Sequence, residues 1–348
     1  MLEVLAVLLV SFLALTKASR WSLLVAMVLG VLFSLSGADP VHLLVPISSV
    51  ILGIIGLDVG TSLIGQSTSW RTVVKGLSAT FASLITLTAV SWLMFWTRPS
   101  LIGLVLACAS TSVVTGPALL RLQGAQAVEL YTLVLKVAAT DDFFSFGLFS
   151  FYLWQSTGIS IGVVSVLFIV IISMVVSFWF SGNSSTIRGF RAVIAGTSVV
   201  VGFMFAQPLL SSVAAGFLIK GETIFREILV KLARAAAPAY FFLTFTKLGP
   251  EIANNLGSLF AQVGIVLLLL LVSRVAAALV VGAGSGVLFA VATYPRGVVA
   301  LAIANTCYAS HLFSASLYST FLAAVFVSNA IVVAIFQPLY AYTTRAIR

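Results

Sequence analysis

The sequence predicts an all-α polytopic membrane protein with about thirteen transmembrane helices. Of its 348 residues, 61% are hydrophobic and only 8% are charged, whereas about 25% of the residues in a typical soluble domain are charged. Many apolar blocks are about 17–25 residues long, the length that a helix needs to cross a hydrocarbon core about 30 Å thick. Such a chain cannot cover a soluble surface with its charges, so we expect it to lie in a lipid bilayer.

Thirteen apolar segments are predicted to span this bilayer. The first segment begins beside an acidic residue, Glu3, and no small-residue cleavage site follows it, so it is interpreted as a span and not as a secretory signal. Several segments have only about 11–16 residues and need neighbouring helices to shelter them. The segments are Leu2–Leu15, Trp21–Ser36, Leu43–Leu57, Gly76–Trp96, Leu101–Leu120, Leu130–Leu153, Gly158–Phe180, Val193–Ala206, Leu209–Ile219, Ala236–Thr246, Leu256–Val280, Val287–Tyr308 and Ser314–Phe336.

The basic residues predict the orientation of these spans. If the N-terminus is outside, thirteen of the eighteen Lys and Arg residues fall in inner loops, and only Arg98 and Lys247 fall in outer loops. Basic residues concentrate on the cytoplasmic side of membrane proteins. We therefore expect a multi-pass protein of the cell (inner or plasma) membrane, with its N-terminus outside and its C-terminus in the cytoplasm. The net charge of +9 then reflects this topology and does not indicate a nucleic-acid partner.

The odd number of spans predicts inverted repeats. Two sets of six spans on either side of a seventh enter the membrane in opposite orientations, which is a plan common in secondary transporters. We expect a single membrane transporter domain over residues 1–348. Its first repeat would cover about residues 1–154, its linking helix about 158–180 and its second repeat about 190–340.

Charged side chains lie near the centres of three predicted spans. Asp141 and Asp142 are at the centre of segment six, Arg296 is near the centre of segment twelve, and Arg274 lies past the centre of segment eleven. The centre of segment five carries a hydroxyl cluster, Ser110-Thr111-Ser112. Each charge at the bilayer centre costs about 2.5–3.5 kcal/mol on insertion scales. We therefore expect these side chains to face one another or a water-filled cavity, with Arg274 and Arg296 as charge-pairing residues.

The two adjacent aspartates are predicted to have unequal roles. Neighbouring residues on a helix point about 100° apart, so Asp141 and Asp142 cannot both face the same partner. One carboxylate can pair with a basic side chain such as Arg274, while the other faces a cavity where it can exchange a proton for a cation. The alternative is a purely architectural cluster of buried salt bridges.

Two of the predicted spans contain helix-breaking residues. Segment five runs into Thr115-Gly116-Pro117, and segment twelve holds Pro295 and Gly297 near its middle. Proline removes a helix hydrogen bond and glycine loosens the backbone. Non-helical backbone within a membrane is tolerated only where it lines protein or water. We therefore expect breaks at matching positions of the two repeats, where helix ends and free carbonyls can meet ions.

The order of these motifs resembles that of the monovalent cation:proton antiporter superfamily, in particular its sodium/proton antiporter branch with an Asp-Asp motif. The resemblance is carried first by Ala139-Thr140-Asp141-Asp142, one span after Ser110-Thr111-Ser112. It extends over nearly the whole chain through four further motifs, which are Gly56-Leu57-Asp58, Phe241-Phe242 to Gly249, Ser273-Arg274 and Pro295-Arg296-Gly297.

This resemblance implies a homodimer, in which each chain has a scaffold or dimerisation domain and a six-helix core with two crossed, discontinuous helices. It implies that Asp142 binds a cation and a proton in turn, and that Asp141 is the partner of the base in segment eleven. Thr111 would lie at the helix crossing, with Ser112 beside it among the ion- and proton-binding residues. Many Asp-Asp members have lysine where this chain has Arg274, and a buried arginine effectively keeps its proton.

These predictions favour a secondary active antiporter that exchanges Na⁺ (or Li⁺ or K⁺) for H⁺ by alternating access, and not an enzyme. Hard cations take oxygen ligands, so Asp142, Asp141 and Thr111 suffice for the transported ion, and no resident cofactor is expected. The alternative is a sodium-coupled symporter for an organic anion, of the bile-acid type, with Arg274 or Arg296 on the substrate carboxylate. An intramembrane aspartyl protease needs its aspartates on separate helices, and a non-transporting scaffold leaves the buried charges unexplained.

Overall fold

A computed structural model of the chain describes most of the predicted spans. Segment Leu2–Leu15 lies outside the described residues, and the predicted linking helix at 158–180 has only five residues within them. The repeat boundaries therefore stay predictions. The described residues are 21–35, 41–64, 70–95, 100–112, 115–121, 123, 128–157, 169, 171–173, 176, 185–204, 208–219, 223–247 and 249–347.

Thirteen helices occupy these described residues, which contain no strand, as the all-α prediction requires. They are α1 (Ser22–Leu35), α2 (Val41–Ile64), α3 (Trp70–Phe95), α4 (Ser100–Ala109), α5 (Thr115–Arg121), α6 (Val128–Thr157), α7 (Ser185–Met204), α8 (Pro208–Leu218), α9 (Thr223–Phe245), α10 (Gly249–Val281), α11 (Ala283–Thr293), α12 (Val298–Ala309) and α13 (Ala315–Ile347).

Eleven of the predicted spans lie wholly or largely within the described residues, and the described part of each overlaps either one helix or a pair of helices separated by a break. The largest difference is in α9, which begins at Thr223 and not at Ala236. Its first half has several charged residues, which do not fit a membrane-spanning pattern. Arg, Glu, Leu, Lys and Ala are nevertheless good helix formers, so the helix extends beyond the apolar stretch that predicted the span.

Length and hydropathy identify three described helical segments that could cross a membrane by themselves, namely Val74–Trp92, Ala261–Val281 and Ala315–Thr343. A fourth candidate is the pair Gly286–Thr293 and Val298–Ala309, which is bent by 44°. Four further apolar helical segments of 10–17 residues lie at Ser22–Leu35, Ser48–Thr61, Ser100–Ala109 and Gly189–Met204. The remaining spans therefore stay predictions from the sequence.

The first helix break is not where the sequence predicted it. The chain leaves the helix after Ala109, at the hydroxyl cluster, whereas Gly116 and Pro117 lie in the first turn of α5. Proline fits the first turn of a helix because the amide that it lacks has no partner there. The second break is at the predicted place, because α11 ends at Thr293 and α12 begins at Val298.

The helices pack in two groups, and the paired aspartates lie where the groups meet. In one group α8 packs along α2 and α7, and α9 packs against α1 and α2. In the other, α10 packs against α3 and α13, α4 and α5 both contact α6, and α12 packs against α4. Contacts of α2 and α8 with α6, and of α9 with α12, join the two groups. The middle of α6, with Asp141 and Asp142, therefore faces both.

Candidate functional site

The charged residues near the predicted span centres form a buried site. Asp141 is 1% exposed, Asp142 is 3% exposed, and both Arg274 and Arg296 are 0% exposed. The aspartates come from the middle of α6, Arg274 from α10 and Arg296 from the break between α11 and α12. Buried charges are costly unless they are paired or hydrogen-bonded, so the contacts of each side chain decide what the site can do.

Asp141 has its negative charge matched by an arginine. Nη1 of Arg274 donates to Oδ2 of Asp141 at 2.6 Å. The hydroxyl of Thr111 donates to the same carboxylate oxygen at 2.5 Å. Hydrogen bonds between charged partners are shorter and stronger than neutral ones, so this carboxylate is held firmly between α10 and the first break.

Arg274 also binds the end of α4. Its Nη2 donates to the carbonyl oxygen of Ala109, the last residue of that helix, at 2.6 Å. Carbonyls at a helix C-terminus lack intrahelical partners and carry partial negative charge. The planar fork of a guanidinium can serve such a carbonyl and a carboxylate together, which the single ammonium of a lysine does less well. Arg274 thereby ties α10 to both α4 and α6.

Asp142 has different surroundings from those of its neighbour. Its Oδ1 accepts a hydrogen bond from the hydroxyl of Ser110 at 2.5 Å and another from the backbone N–H of Thr111 at 3.2 Å. Among the residues that the structure describes, no basic side chain pairs with Asp142 and nothing donates to its Oδ2. Asp142 therefore has polar partners but no cationic one.

A small cavity lies beside Asp142, between the two helix groups. Its volume is about 10 Å³, close to the least that can hold one water molecule, about 10–15 Å³. Apart from the carboxyl group its walls are apolar, and this conformation leaves little room beside Asp142. The lining residues come from α2, α6, α8 and α12 and are Val59, Asp142, Phe143, Phe146, Leu209, Val213 and Val299.

The two helix breaks touch each other. The backbone N–H of Ser112, in the first break, donates to the carbonyl of Pro295, in the second, at 3.0 Å. Two glycines permit this approach. A Cβ on Gly116 would lie 2.0 Å from the carbonyl oxygen of Ala292, and one on Gly297 would lie 2.9 Å from the Cα of Ser112. Any larger residue would push the breaks apart.

Arg296 does not pair with an acidic side chain among the described residues, contrary to its predicted role. Its Nη1 donates to the carbonyls of Thr293 at 3.0 Å and Pro295 at 3.4 Å. The carbonyl of Thr293 is at the C-terminus of α11, where partial negative charge accumulates. The positive charge of Arg296 is therefore balanced by backbone carbonyls, because the carboxylate of Asp141 already pairs with Arg274.

Ser112 is also not a direct partner of the aspartates. Its hydroxyl donates to the hydroxyl of Thr115 at 3.1 Å and accepts from the backbone N–H of Thr115 at 3.0 Å. Ser110, which was only part of a predicted hydroxyl cluster, occupies the place beside Asp142 instead. Nothing in the sequence separates these serines, because their directions depend on where the helix ends.

Sequence reasoning missed one further polar residue of the site, Asn329 on α13. This asparagine hydrogen-bonds Thr115 at the start of α5 and the carbonyl of Arg296 in the second break. A lone amide in an apolar helix could have been noticed, because intramembrane polar side chains usually have buried partners. Its partner, 214 residues away along the chain, could not.

The site offers oxygen atoms and no cluster of soft ligands. The described residues contain no group of three or more His, Cys, Asp or Glu side chains that could hold a metal ion. Carboxylate and hydroxyl oxygens are suited to hard cations. Asp142, Asp141, Ser110 and Thr111 supply such oxygens within one buried space.

Comparisons with known proteins identify the fold. No protein-family model matches the sequence, and no curated protein matches it. Among solved structures, the chain is similar to the sodium proton antiporter MjNhaP1 from Methanocaldococcus jannaschii, solved at pH 8. The TM-score is 0.55 at 15% sequence identity, and the similarity covers 97% of this chain and 95% of that one.

At this identity the similarity shows the fold. The chain is a multi-pass membrane protein with the fold of a sodium proton antiporter. The adjacent aspartates and their arginine lie within this fold at the contact of the two helix groups.

Proposed function

We propose that the chain is a cation:proton antiporter that exchanges Na⁺, Li⁺ or K⁺ for H⁺ at Asp142. The observation that carries this proposal is the contrast between two adjacent buried carboxylates. Asp141 is matched by Arg274, whereas Asp142 has hydrogen-bond donors but no basic partner among the described residues. Coupled exchange needs one carboxylate that stays paired with a base and one that is open to a proton or a cation.

The coupling follows from the burial of Asp142. An ionised carboxylate in an apolar surrounding is costly unless another charge neutralises it. A proton and a metal cation can each do this, but they use the same oxygens and exclude each other. On one side of the membrane Asp142 therefore binds the cation and releases the proton, and on the other side it binds the proton and releases the cation. Arg274 is bonded to Asp141 and to the carbonyl of Ala109, so it holds Asp141 in place and does not take part in the exchange.

Alternating access is supported by the position of the cavity. The space beside Asp142 is walled by helices of both groups and is small. A rocking movement of one group against the other would widen it toward one side of the membrane and then toward the other, as in other secondary transporters. Asp142 would remain attached to α6 throughout.

The proposal extends to a pair of crossed, discontinuous helices, to a branch of the superfamily, to a homodimer and to the side on which the C-terminus lies. Contact between the two breaks supports a pair of crossed, discontinuous helices. The antiporter fold together with the adjacent aspartates supports membership of the cation:proton antiporter superfamily and of its Asp-Asp branch. A homodimer and a cytoplasmic C-terminus complete the proposal, and chemical cross-linking and labelling of single cysteines in intact cells test them.

A symporter for an organic anion is less well supported, because it needs a basic side chain that faces a cavity. Arg274 is occupied by Asp141 and the carbonyl of Ala109. Arg296 is fully buried and bonded to backbone carbonyls. Neither arginine lines the cavity beside Asp142.

The test is a flux assay in proteoliposomes with an internal acidic gradient and a pH-sensitive dye. Addition of Na⁺, Li⁺ or K⁺, with no organic solute present, is expected to collapse the gradient in wild type. The variant Asp142→Asn is expected to lose this response. Glu129→Gln removes a negative charge from the exposed start of the same helix and is expected to behave as wild type. Near-normal exchange by Asp142→Asn would rule out the assignment.

A further inference from the structure

We propose that Asn329 is a positioning residue, which holds the two helix breaks in register and thereby sets the apparent affinity of the site for its cation. The inference rests on the proposed exchange at Asp142. Asn329 lies near the middle of α13, is 0% exposed and hydrogen-bonds to neither aspartate. Any effect that it has on the ion must therefore pass through the breaks.

The amide of Asn329 bonds to three different parts of the chain. Its carbonyl oxygen accepts from the hydroxyl of Thr115 at 2.9 Å. Its Nδ2 donates to the carbonyl of Arg296 at 3.1 Å and to the carbonyl of Val325, one turn earlier in α13, at 2.9 Å. One side chain thus connects the start of α5, the second break and α13.

Chemistry fixes the orientation of this amide. Backbone carbonyls only accept hydrogen bonds, so the NH₂ group must face Arg296 and Val325. Both of its hydrogens are then used, and the amide oxygen is left to face Thr115. Because the side chain has no other way to satisfy these partners, a small shift of either break would break a hydrogen bond that no water in an apolar interior replaces.

The connection continues from Thr115 to the residues that touch the aspartates. The hydroxyl of Ser112 donates to that of Thr115, and the amide of Ser112 bonds to Pro295 in the second break. Thr111 and Ser110, which donate to Asp141 and Asp142, directly precede Ser112. Asn329 therefore closes a ring of hydrogen bonds behind the donors of the site.

This arrangement predicts a specific kinetic effect. If the ring is opened, the donors of the first break are no longer held at their positions, and displacements of about 1 Å can change rates by about a hundredfold. We expect Asn329→Leu, of similar size, to raise the KM for the transported cation about tenfold or more in proteoliposomes. A residue that only stabilises the fold would lower the maximal rate with the folded fraction and leave KM unchanged.

Thr115 gives a second route to the same test, which is useful if Asn329→Leu does not fold. Thr115→Val keeps the shape of the side chain and removes its hydroxyl, and is expected to raise KM similarly. Thr115→Ser retains the hydroxyl and is expected to restore a KM close to that of wild type. The double variant with Asn329→Leu should have no higher KM than either single variant, because both act on one connection.

Asn305 provides a matched control. It is a partly buried asparagine that also bonds side chains of other helices, namely Tyr240 and Thr244 on α9 and Tyr318 on α13. None of its hydrogen bonds reaches either break, so Asn305→Leu is expected to leave KM unchanged. An unchanged KM in both Asn329→Leu and Thr115→Val, or an equal rise in Asn305→Leu, would overturn the inference.

Failure of the proposed function would be seen separately, as wild-type vesicles that show no cation-dependent proton flux. The connection can then still be tested by thermal unfolding in detergent, using the single and double variants of Thr115 and Asn329. Coupling between the two substitutions is expected. Additive effects on the melting temperature would overturn the inference in that case.

Discussion

The two helix breaks of this chain contribute differently to the site. The first, between α4 and α5, presents the hydroxyls of Ser110 and Thr111 to the aspartates. The second, between α11 and α12, presents no hydrogen-bond donor to them, and its Arg296 bonds to the carbonyls of Thr293, at the end of α11, and of Pro295. The first break therefore donates hydrogen bonds to the aspartates, and the second contacts the first through the bond from Ser112 to Pro295.

The same contrast separates the two buried arginines. Arg274 neutralises Asp141 and holds the end of α4, so its removal leaves a carboxylate without its partner. Arg296 neutralises no carboxylate among the described residues and bonds to neutral carbonyls. Equal burial thus does not imply an equal role, and the partners of each charge decide how much it matters.

The largest loss of stability to unfolding is expected when one of the two buried arginines is replaced. Arg274→Met should lower the stability to unfolding by about 3–5 kcal/mol, because one member of a buried ion pair is left unpaired. Arg296→Met removes bonds to two carbonyls only, for which about 1–3 kcal/mol is expected. Both are measured as melting in detergent. An equal loss of stability in the two variants would contradict the different roles given to Arg274 and Arg296.

The next largest loss of stability is expected when the contact between the two breaks is disturbed. Gly116→Ala places a Cβ 2.0 Å from the carbonyl oxygen of Ala292, so the breaks must separate, and overpacking of this kind costs about 1–3 kcal/mol. Gly147→Ala, on α6, meets nothing within 4 Å. Alanine is favoured over glycine in a helix by about 0.5–1 kcal/mol, so this control should be slightly more stable than wild type. A neutral Gly116→Ala would contradict the close approach.

The smallest effect is expected from a single hydroxyl of the first break. Ser110→Ala removes one of two donors to Asp142, and a typical hydrogen bond contributes about 0.5–1.5 kcal/mol net. We expect weaker apparent cation affinity in vesicles, by about tenfold, with little change in melting. Ser145 is equally buried on α6, and its hydroxyl has no hydrogen-bond partner among the described residues. Ser145→Ala should therefore leave the affinity unchanged, and an equal loss in both variants would count against Ser110 as a donor.

Sequence reasoning could locate the charges of the site because the bilayer restricts them so strongly. An aspartate pair in the middle of α6 and an arginine in α10 can be placed at similar depth from span lengths alone. The second break was also predictable, because Pro295 and Gly297 interrupt an apolar stretch. These features are local, and hydropathy and helix chemistry are enough to find them.

The contacts that define the roles of the residues are not local. The first break was predicted at Gly116-Pro117, but these residues begin α5, because proline starts helices as readily as it ends them. The backbone partners of Arg296 depend on how its own break folds, and the pairing of Thr115 with Asn329 depends on the packing of α13. Which side chains pair between distant spans can be predicted only when the fold is known.

Competition between a proton and a cation at Asp142 is the central claim, and proton release on cation binding tests it most directly. Purified protein in weakly buffered detergent is titrated with Na⁺, Li⁺ or K⁺, and the pH change is compared with the cation bound. Because a cation binds the deprotonated carboxylate, about one proton should be released per cation, and the apparent affinity should rise with pH. Asp142→Asn should release none. Cation binding by wild type without proton release, or the same release by Asp142→Asn, would contradict the account.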